Sequence, residues 1–381
     1  MIALRLTFFA CAVIAAMPAL AQPQITSVIE TGWTSNALGS AGQNDDAYLT
    51  QSHTIALVGG DETIALRAAI TFEDTRYLAF YRENDFQARI EITPEIALSD
   101  TARLRGRFAL LYGEDGTQLA PGLGAREQTL AGSAALRYET RVGDGMWGLD
   151  LGYEAGRPHL THIEADLVPP ARASARTDGV TAGIDFAFPL SETMALLAAA
   201  QWQSLAVPPD NQAQFGRLPL HHLRLAAGGE IADGAGSAFT LRGGVDALFP
   251  AIDGLDTFWR AYGEAQVRIA ISPHLALRGS LLMGADIVDP ADGYADALVS
   301  GRAGLIVTPA EGWELDFGPF AKTRGSIALA TSIERQLGFE VALTRSWARY
   351  SLAARLSHSA VTGLNPSYEE TRLGLRVAVS L

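Results

Sequence analysis

The sequence predicts an all-β fold, a transmembrane antiparallel up-and-down β-barrel of about 18 strands, with about 16 strands as the other possible count. Three observations support this prediction. Apolar and polar residues alternate along many segments, and short and long connections alternate between those segments. The segments are also long, roughly 10–15 residues, whereas strands of soluble sheets have a mode of about 5–6 residues. Long strands with a single apolar face are typical of membrane barrels.

The first 21 residues have the features of a secretory signal peptide. Arg5 precedes an apolar run from Leu6 to Met17, and Ala19-Leu20-Ala21 forms a small-residue cleavage site. A membrane anchor is the alternative, but the run is short for a spanning helix. We therefore divide the chain into a signal peptide, 1–21, and a single transmembrane barrel domain, 22–381.

The composition excludes several classes of protein. The formal net charge of -13 argues against nucleic acid as a partner. The one cysteine, Cys11, lies within the predicted signal peptide, so no disulfide is expected in the exported chain. After the signal, no apolar run reaches the roughly 18 residues that a transmembrane helix requires.

Residues 101–112, TARLRGRFALLY, show the alternation in its simplest form. Arg103, Arg105 and Arg107 occupy every second position, and Leu104 and Phe108 lie between them. On a helix, positions two apart are separated by about 200°, so the arginines would be scattered, whereas in a strand they share one face. Similar alternation predicts strands at 63–72, 86–98, 259–271, 337–343 and 371–381.

The connections predict the topology of the barrel. Short turns are expected near residues 59–62, 99–101, 142–145, 191–193, 232–237, 272–274, 308–312 and 346–347. Longer loops are expected at about 36–46, 74–83, 113–125, 157–175, 205–218, 249–257, 288–293, 324–331 and 361–367. With an even number of strands, both termini lie on the short-turn side, which is periplasmic in outer-membrane barrels.

A second architecture is compatible with alternating strands, namely a soluble β-sandwich or a solenoid. Such a fold does not require long and short connections in strict alternation. Aromatic residues near the predicted strand ends favour the membrane barrel, because tryptophan and tyrosine form girdles at the two membrane interfaces. They are Trp33, Tyr112, Tyr138, Trp147, Trp202, Trp259, Trp313 and Tyr350.

Over residues 22–381 this pattern resembles the Gram-negative outer-membrane β-barrels of the porin-like type. TGWTSNAL (31–38) is similar to the first-strand segment of porin-like families associated with polysaccharide export. The resemblance implies a bacterial outer-membrane location, with outer-membrane lipid and the barrel assembly machinery as partners. That machinery usually recognises a terminal aromatic residue, whereas here the alternation ends with Val377, Val379 and Leu381.

If the apolar rows face lipid, the charged rows line a water-filled lumen. An arginine facing lipid at mid-bilayer would cost about 2–4 kcal/mol, whereas in the lumen it stays hydrated. Basic candidates for the pore lining lie on three early strands and on the last two, and closure of the barrel brings these strands into one sector. Acidic candidates lie on other strands. The basic candidates are Arg67, Arg89, Arg103, Arg105, Arg107, Arg349, Arg355, Arg372 and Arg376, and the acidic ones are Glu314, Asp316, Glu334 and Glu340.

These residues predict an outer-membrane channel for passive passage of hydrophilic or charged solutes. A basic wall opposite acidic groups would favour polar solutes over apolar ones. In another interpretation, the charges pair across neighbouring strands and only stiffen the wall. Two other functions remain open: a polysaccharide export port, and a structural or assembly barrel with a blocked lumen. A first strand close to the cleavage site leaves no room for a plug domain, which argues against an energy-coupled transporter.

The sequence offers no convincing catalytic or metal-binding constellation, so we expect no enzyme, no cofactor and no metal. His221 and His222 are adjacent and therefore point to opposite faces of a strand, and no serine lies at a suitable offset. The segment RPHLTHIEAD (157–166) contains His159 and His162, but it falls in a predicted loop and lacks the spacing of a zinc site.

Overall fold

The structure is a computed structural model that describes residues 22–38, 44–120, 123–163, 171–172, 175–252, 254–287, 294–327, 332–363 and 367–381. The predicted signal peptide lies outside these ranges. Strands dominate the described residues, as the alternation of apolar and polar residues predicted. One short α-helix, α1 (Pro209–Phe215), and one turn of 3₁₀ helix, Tyr81–Glu83, lie in connections between strands.

The strands form one antiparallel sheet that closes on itself. All but the two-residue β8, which pairs with Leu160 and Thr161 of β7, belong to the barrel wall, so the prediction of about 18 strands is confirmed. The strands are β1 (Gln22–Thr34), β2 (Asp46–Gly60), β3 (Ile64–Tyr77), β4 (Asp85–Ser99), β5 (Ala102–Ala120), β6 (Leu123–Val142), β7 (Gly145–Ile163), β8 (Ala171–Arg172), β9 (Thr177–Pro189), β10 (Met194–Ala206), β11 (Leu220–Ala232), β12 (Ala238–Pro250), β13 (Phe258–Ser272), β14 (Leu275–Asp286), β15 (Asp296–Val307), β16 (Trp313–Ser326), β17 (Ser332–Ser346), β18 (Tyr350–Gly363) and β19 (Tyr368–Ser380).

The barrel closes at a seam between its first and last strands. β1 pairs with β2 on one side and with β19 on the other, where Trp33 lies opposite Leu373 and Thr26 lies opposite Ser380. A closed sheet has no free edge, so the backbone polar groups of each strand face a partner strand on both sides. Only closed barrels and helices meet this requirement within a lipid bilayer.

Large apolar side chains occupy the outer face of the wall. Ile25, Ile29 and Trp33 of β1 lie four residues apart, hence on one face, and are exposed, and Phe239 and Leu241, two apart on β12, are exposed as well. In a closed barrel the positions between them point inwards. Within the described ranges, no helix has the length and apolar character needed to cross a membrane.

Tight turns join the strands at one end of the barrel, as the sequence predicted. In the β2–β3 turn Gly60 has a φ of +131°, and a Cβ atom there would lie 2.1 Å from the Ile64 carbonyl oxygen. The backbone N–H groups of Ile64 and Thr63 donate to Asp61 Oδ1 at 2.9 and 2.8 Å. These two hydrogen bonds lower the pKa of Asp61 below its ordinary value.

The connections at the other end differ from the prediction in two places. The loop expected at 113–125 is largely strand, because β5 continues to Ala120 and β6 starts at Leu123, with Glu114 opposite Gln128. β7 likewise continues to Ile163, into the loop expected at 157–175. A hairpin that projects beyond the lipid needs no continuous apolar row, so the alternation that identified the other strands fades there.

Candidate functional site: the lumen wall

The three alternating arginines of β5 lie on the inner face and form a ladder with carboxylates of the adjacent strands. Arg103 Nη1 lies 3.3 Å from Glu95, and Arg107 Nη2 lies 2.8 Å from Glu91. Arg105 bridges Glu95 at 3.3 Å and Glu139 of β6 at 2.9 Å. Antiparallel register causes this pairing, since Arg105 lies opposite Glu95.

These arginines remain open to water despite their partners. The exposed fractions of the side chains are 59% for Arg103, 44% for Arg105 and 55% for Arg107. Exposed pairs of this kind contribute about 0–1 kcal/mol each to stability. The ladder is therefore a hydrated charged surface more than a stabilising clamp.

Arg137 of β6 joins acidic residues of two neighbouring strands. It lies 2.5 Å from Asp150 of β7 and 2.7 Å from Asp185 of β9, and its Nε donates to Glu139 at 2.7 Å. Gly148 makes room for it, because a Cβ there would lie 2.5 Å from Arg137 Nη2. Sequence reasoning missed Arg137, although its alternation with Leu136 and Tyr138 marks it as inward-facing.

The acidic candidates on later strands are also paired. Asp316 of β16 contacts Arg278 of β14 and lies 3.6 Å from Arg302 of β15. Arg302 Nη1 also donates to Glu340 of β17 at 2.9 Å. The charges thus form ladders of alternating sign, as in the interpretation that they pair across neighbouring strands, and the inward Arg278 was absent from the sequence-based map.

The remaining candidates lie along β3 and β4 and from β16 to β19. The Arg89 guanidinium lies 2.8 Å from Glu91, that of Arg372 lies 2.6 Å from Glu370, and that of Arg355 lies 4.0 Å from Glu30. Arg349 is not on a strand, contrary to the prediction, because it lies in the turn before β18, where its carbonyl accepts from Ser380. The other candidates lie on strands. Strand pairing places Arg67 opposite Thr93, Arg376 opposite Glu30, Glu314 opposite Thr344 and Glu334 opposite Arg324.

A buried carboxylate fixes one side of the wall. Asp246 of β12 is fully buried and accepts from Arg224 Nε at 2.7 Å, from Arg224 Nη2 at 3.1 Å and from the Ala285 backbone N–H at 2.8 Å. His222 Nε2 lies 2.9 Å from the same carboxylate, and the Arg224 guanidinium stacks 4.2 Å above the centre of the Tyr262 ring. A carboxylate with this many donors holds β11 to β14 in fixed relative positions.

The same side of the barrel is packed at its long-loop end. Leu220, Leu248, Tyr294 and Ile327 belong to a buried apolar cluster there. The β10–β11 connection, which contains α1, lies over this cluster and is held there by its buried Arg217. The Arg217 guanidinium donates to the carbonyl oxygen of Tyr294 at 3.2 Å and to that of Ile287.

The lumen is therefore asymmetric. Along β3 to β6 the inner face is charged and exposed, and it includes the small residue Ser133. Across the barrel, at the long-loop end of β11 to β16, inner residues are buried, including Asp296 and Ser326. Accessibility, more than charge sign, distinguishes the two sides.

Neither histidine segment becomes a recognisable site. Among the residues described, no group of three or more histidine, cysteine, aspartate or glutamate side chains is arranged to hold a metal ion. His159 and His162 lie at the end of β7, where the structure describes only the backbone, and Glu164 and Asp166 lie outside the described residues. His221 and His222 point to opposite faces, as predicted, and His221 stacks on Trp202 with ring centres 5.8 Å apart.

Comparison with known proteins identifies the fold and no family. No protein-family model matches the chain, and no curated protein matches it. Among solved structures, the siderophore receptor PirA from Acinetobacter baumannii aligns over 96% of this chain and 81% of its own, with 7% identity and a TM-score of 0.54. PirA from Pseudomonas aeruginosa aligns over 96% and 81%, with 9% identity and a TM-score of 0.51.

A third solved structure shares the barrel fold. CdiB from Acinetobacter baumannii aligns over 96% of this chain and 61% of its own, with 10% identity and a TM-score of 0.54. At such identities the likeness concerns the fold alone. The chain has the fold of outer-membrane β-barrels.

Proposed function

We propose that this protein is a bacterial outer-membrane channel through which hydrophilic solutes pass passively along the arginine-lined wall of β3 to β6. The observation that supports this proposal is the hydration of Arg103, Arg105 and Arg107, whose side chains stay about half exposed although they lie inside a closed barrel. Barrels of 16–18 strands are wide enough to leave an aqueous channel. The charged ladder favours polar and ionic solutes over apolar ones.

The proposal includes an orientation. The tight turns and both termini face the periplasm, and the long-loop end, with α1, faces the outside of the cell. Lipid surrounds the exposed apolar rows, and the barrel assembly machinery inserts the chain. The proposal contains no catalytic step.

A receptor or transporter barrel with a normally closed lumen is the second candidate. The structural matches to siderophore receptors favour it, as does the packed long-loop end beneath the β10–β11 connection. In that case solute would pass only after binding had displaced this connection.

Reconstitution in a planar lipid bilayer separates the two candidates. Purified full-length protein in potassium chloride should give stable open steps of current if the lumen is a permanent channel. Silent membranes, with insertion verified by protease protection, would contradict the channel and favour the closed barrel.

A further inference from the structure

The seam of the barrel holds a cavity on its inner face. It has a volume of about 590 Å³ and is bordered by residues of β1 to β4 and of β16 to β19. Pockets of about 300–1,000 Å³ are typical of small-molecule sites. The cavity lies apart from the arginine ladder of β5.

Two aromatic rings cover the wall of this cavity because glycines beneath them leave room. A Cβ atom at Gly32 would lie 2.7 Å from Tyr48 Cζ, and one at Gly374 would lie 3.0 Å from Tyr48 Oη. A Cβ at Gly338 would lie 2.6 Å from Phe320 Cζ. Aromatic rings that cover glycines on neighbouring strands are a known device of β-sheets. Each ring thus turns one face to the backbone and leaves the other towards the cavity.

Hydrogen-bonding groups surround the two rings. Tyr48 Oη donates to Glu30 Oε1 at 3.0 Å, which fixes the ring in its plane. Thr50 and Thr75 present hydroxyls 3.1 Å apart, and Tyr77 stands at 51° to Tyr48 with ring centres 6.4 Å apart. The cavity therefore combines flat apolar faces with donors and acceptors at their edges.

Four of the charged residues that line the cavity are paired, namely Glu30, Glu340, Arg355 and Arg372, and the fifth, Asp85, accepts a hydrogen bond from the Gly116 backbone N–H at 3.1 Å. The guanidinium of Arg355 lies 4.0 Å from Glu30, and that of Arg372 lies 2.6 Å from Glu370. Glu340 accepts from Arg302 at 2.9 Å. An ionic solute would have to compete with these pairs, whereas a neutral solute with many hydroxyls can hydrogen-bond to paired groups without separating them.

We propose that this cavity binds a neutral saccharide. The C–H faces of successive sugar rings, which are apolar, stack on Phe320 and on Tyr48, and the hydroxyls bond to Glu30 and Arg355. The inference deepens the proposed channel function, because a saccharide would reach the site through the lumen.

Calorimetric titration of the full-length protein with maltotriose tests the site, in a detergent whose headgroup is not a sugar. Wild-type protein should bind the trisaccharide. Phe320→Ala should weaken binding by about threefold to tenfold, the value of one aromatic stacking contact. Phe339→Ala is the matched control, because it removes an exposed phenylalanine from the outer face of neighbouring β17 and should bind as the wild type does.

A second variant keeps the test valid if Phe320→Ala does not fold. Tyr48→Phe retains the ring and removes only the hydroxyl that bonds to Glu30, and it should also weaken maltotriose binding. Absence of binding to the wild type, or equal affinities for wild type and both variants, would overturn the saccharide site. Stronger binding of glycine betaine, a zwitterion of no sugar character, would overturn it as well.

Titration in detergent does not depend on conductance, so the two proposals can fail separately. Current steps without maltotriose binding would support the channel and contradict the saccharide site. Binding without current steps would contradict the permanent channel and support the saccharide site.

Discussion

At the residue scale, two kinds of ion pair coexist in one wall, and they should respond differently to mutation. Asp246 has no exposed surface and accepts three N–H hydrogen bonds, whereas Glu95 is a partly exposed partner of Arg103 and Arg105. Breaking a buried pair leaves an uncompensated charge, while breaking an exposed one leaves a hydrated charge.

Asp246→Ala should therefore lower the free energy of unfolding by about 3–5 kcal/mol, because it leaves the Arg224 guanidinium partly buried without its carboxylate. Glu95→Ala, the matched control, should change it by about 0–1 kcal/mol. Urea titration in detergent micelles, followed by circular dichroism, measures both. Equal effects of the two substitutions would show that Asp246 does not hold the wall.

The arginine ladder should set ion preference. Replacing Arg103, Arg105 and Arg107 with glutamine removes three positive charges and leaves Glu91, Glu95 and Glu139 in place. The reversal potential in a potassium chloride gradient should then shift towards cations, since charged rings in a narrow aqueous path select against their own sign. Arg278→Gln is the control, because Arg278 lies on β14, away from the arginine ladder of β5. It should leave the reversal potential unchanged.

At the scale of the strand, adjacent residues point to opposite faces, so two adjacent substitutions can compare the outer face with the lumen. Phe108 of β5 is exposed on the outer face, and Ala109 points into the lumen opposite Glu91. Phe108→Arg should cost about 2–4 kcal/mol if it lies near the middle of the bilayer, whereas Ala109→Arg stays hydrated. Refolding yield into lipid vesicles distinguishes them, and equal yields would be incompatible with a lipid-facing Phe108.

The β10–β11 connection should be held down by Arg217. Arg217→Ala removes the hydrogen bonds to the carbonyl groups of Ile287 and Tyr294, which connect it to the β14–β15 connection. Protease should then cleave near α1 more rapidly than in the wild type. Asp210→Ala, on the exposed side of α1, serves as the control. An unchanged rate of cleavage in Arg217→Ala would contradict the anchoring role of Arg217.

The sequence was informative about strands and less informative about how they meet. Period-two alternation placed Arg103, Arg105 and Arg107 on one face, because that period is a local property of extended chain. The bridge from Arg137 to Asp185 depends on the register of three strands, which no local pattern contains. Helix α1 is too short to show helical periodicity, and the long hairpin of β5 and β6 lacks an apolar row, so neither was predicted.

At the scale of the whole molecule, the proposed orientation can be tested by labelling. The single native cysteine lies in the predicted signal peptide, so introduced cysteines provide a clean background. In intact cells a membrane-impermeant maleimide should label Asp256→Cys, in the β12–β13 connection, and not Asp100→Cys, in the β4–β5 turn. Labelling of Asp100→Cys alone would show that the barrel has the opposite orientation.

The asymmetric lumen accounts for both the open and the closed features of the barrel. Hydrated charges follow one side, and the buried Asp246 cluster, the apolar cluster and the β10–β11 connection occupy the other. A solute path beside β3 to β6 is compatible with a partly packed mouth, because the two occupy different sides of the same barrel.

One recording tests this asymmetry most directly. Ser133→Cys on β6 and Ser326→Cys on β16 are matched serine substitutions on inner faces, one exposed and one almost fully buried. During single-channel recording, a negatively charged thiol reagent should reduce the current through Ser133→Cys and leave that through Ser326→Cys unchanged. Loss of current in Ser326→Cys with no change in Ser133→Cys, or no conductance in either variant, would contradict a path along the arginine wall.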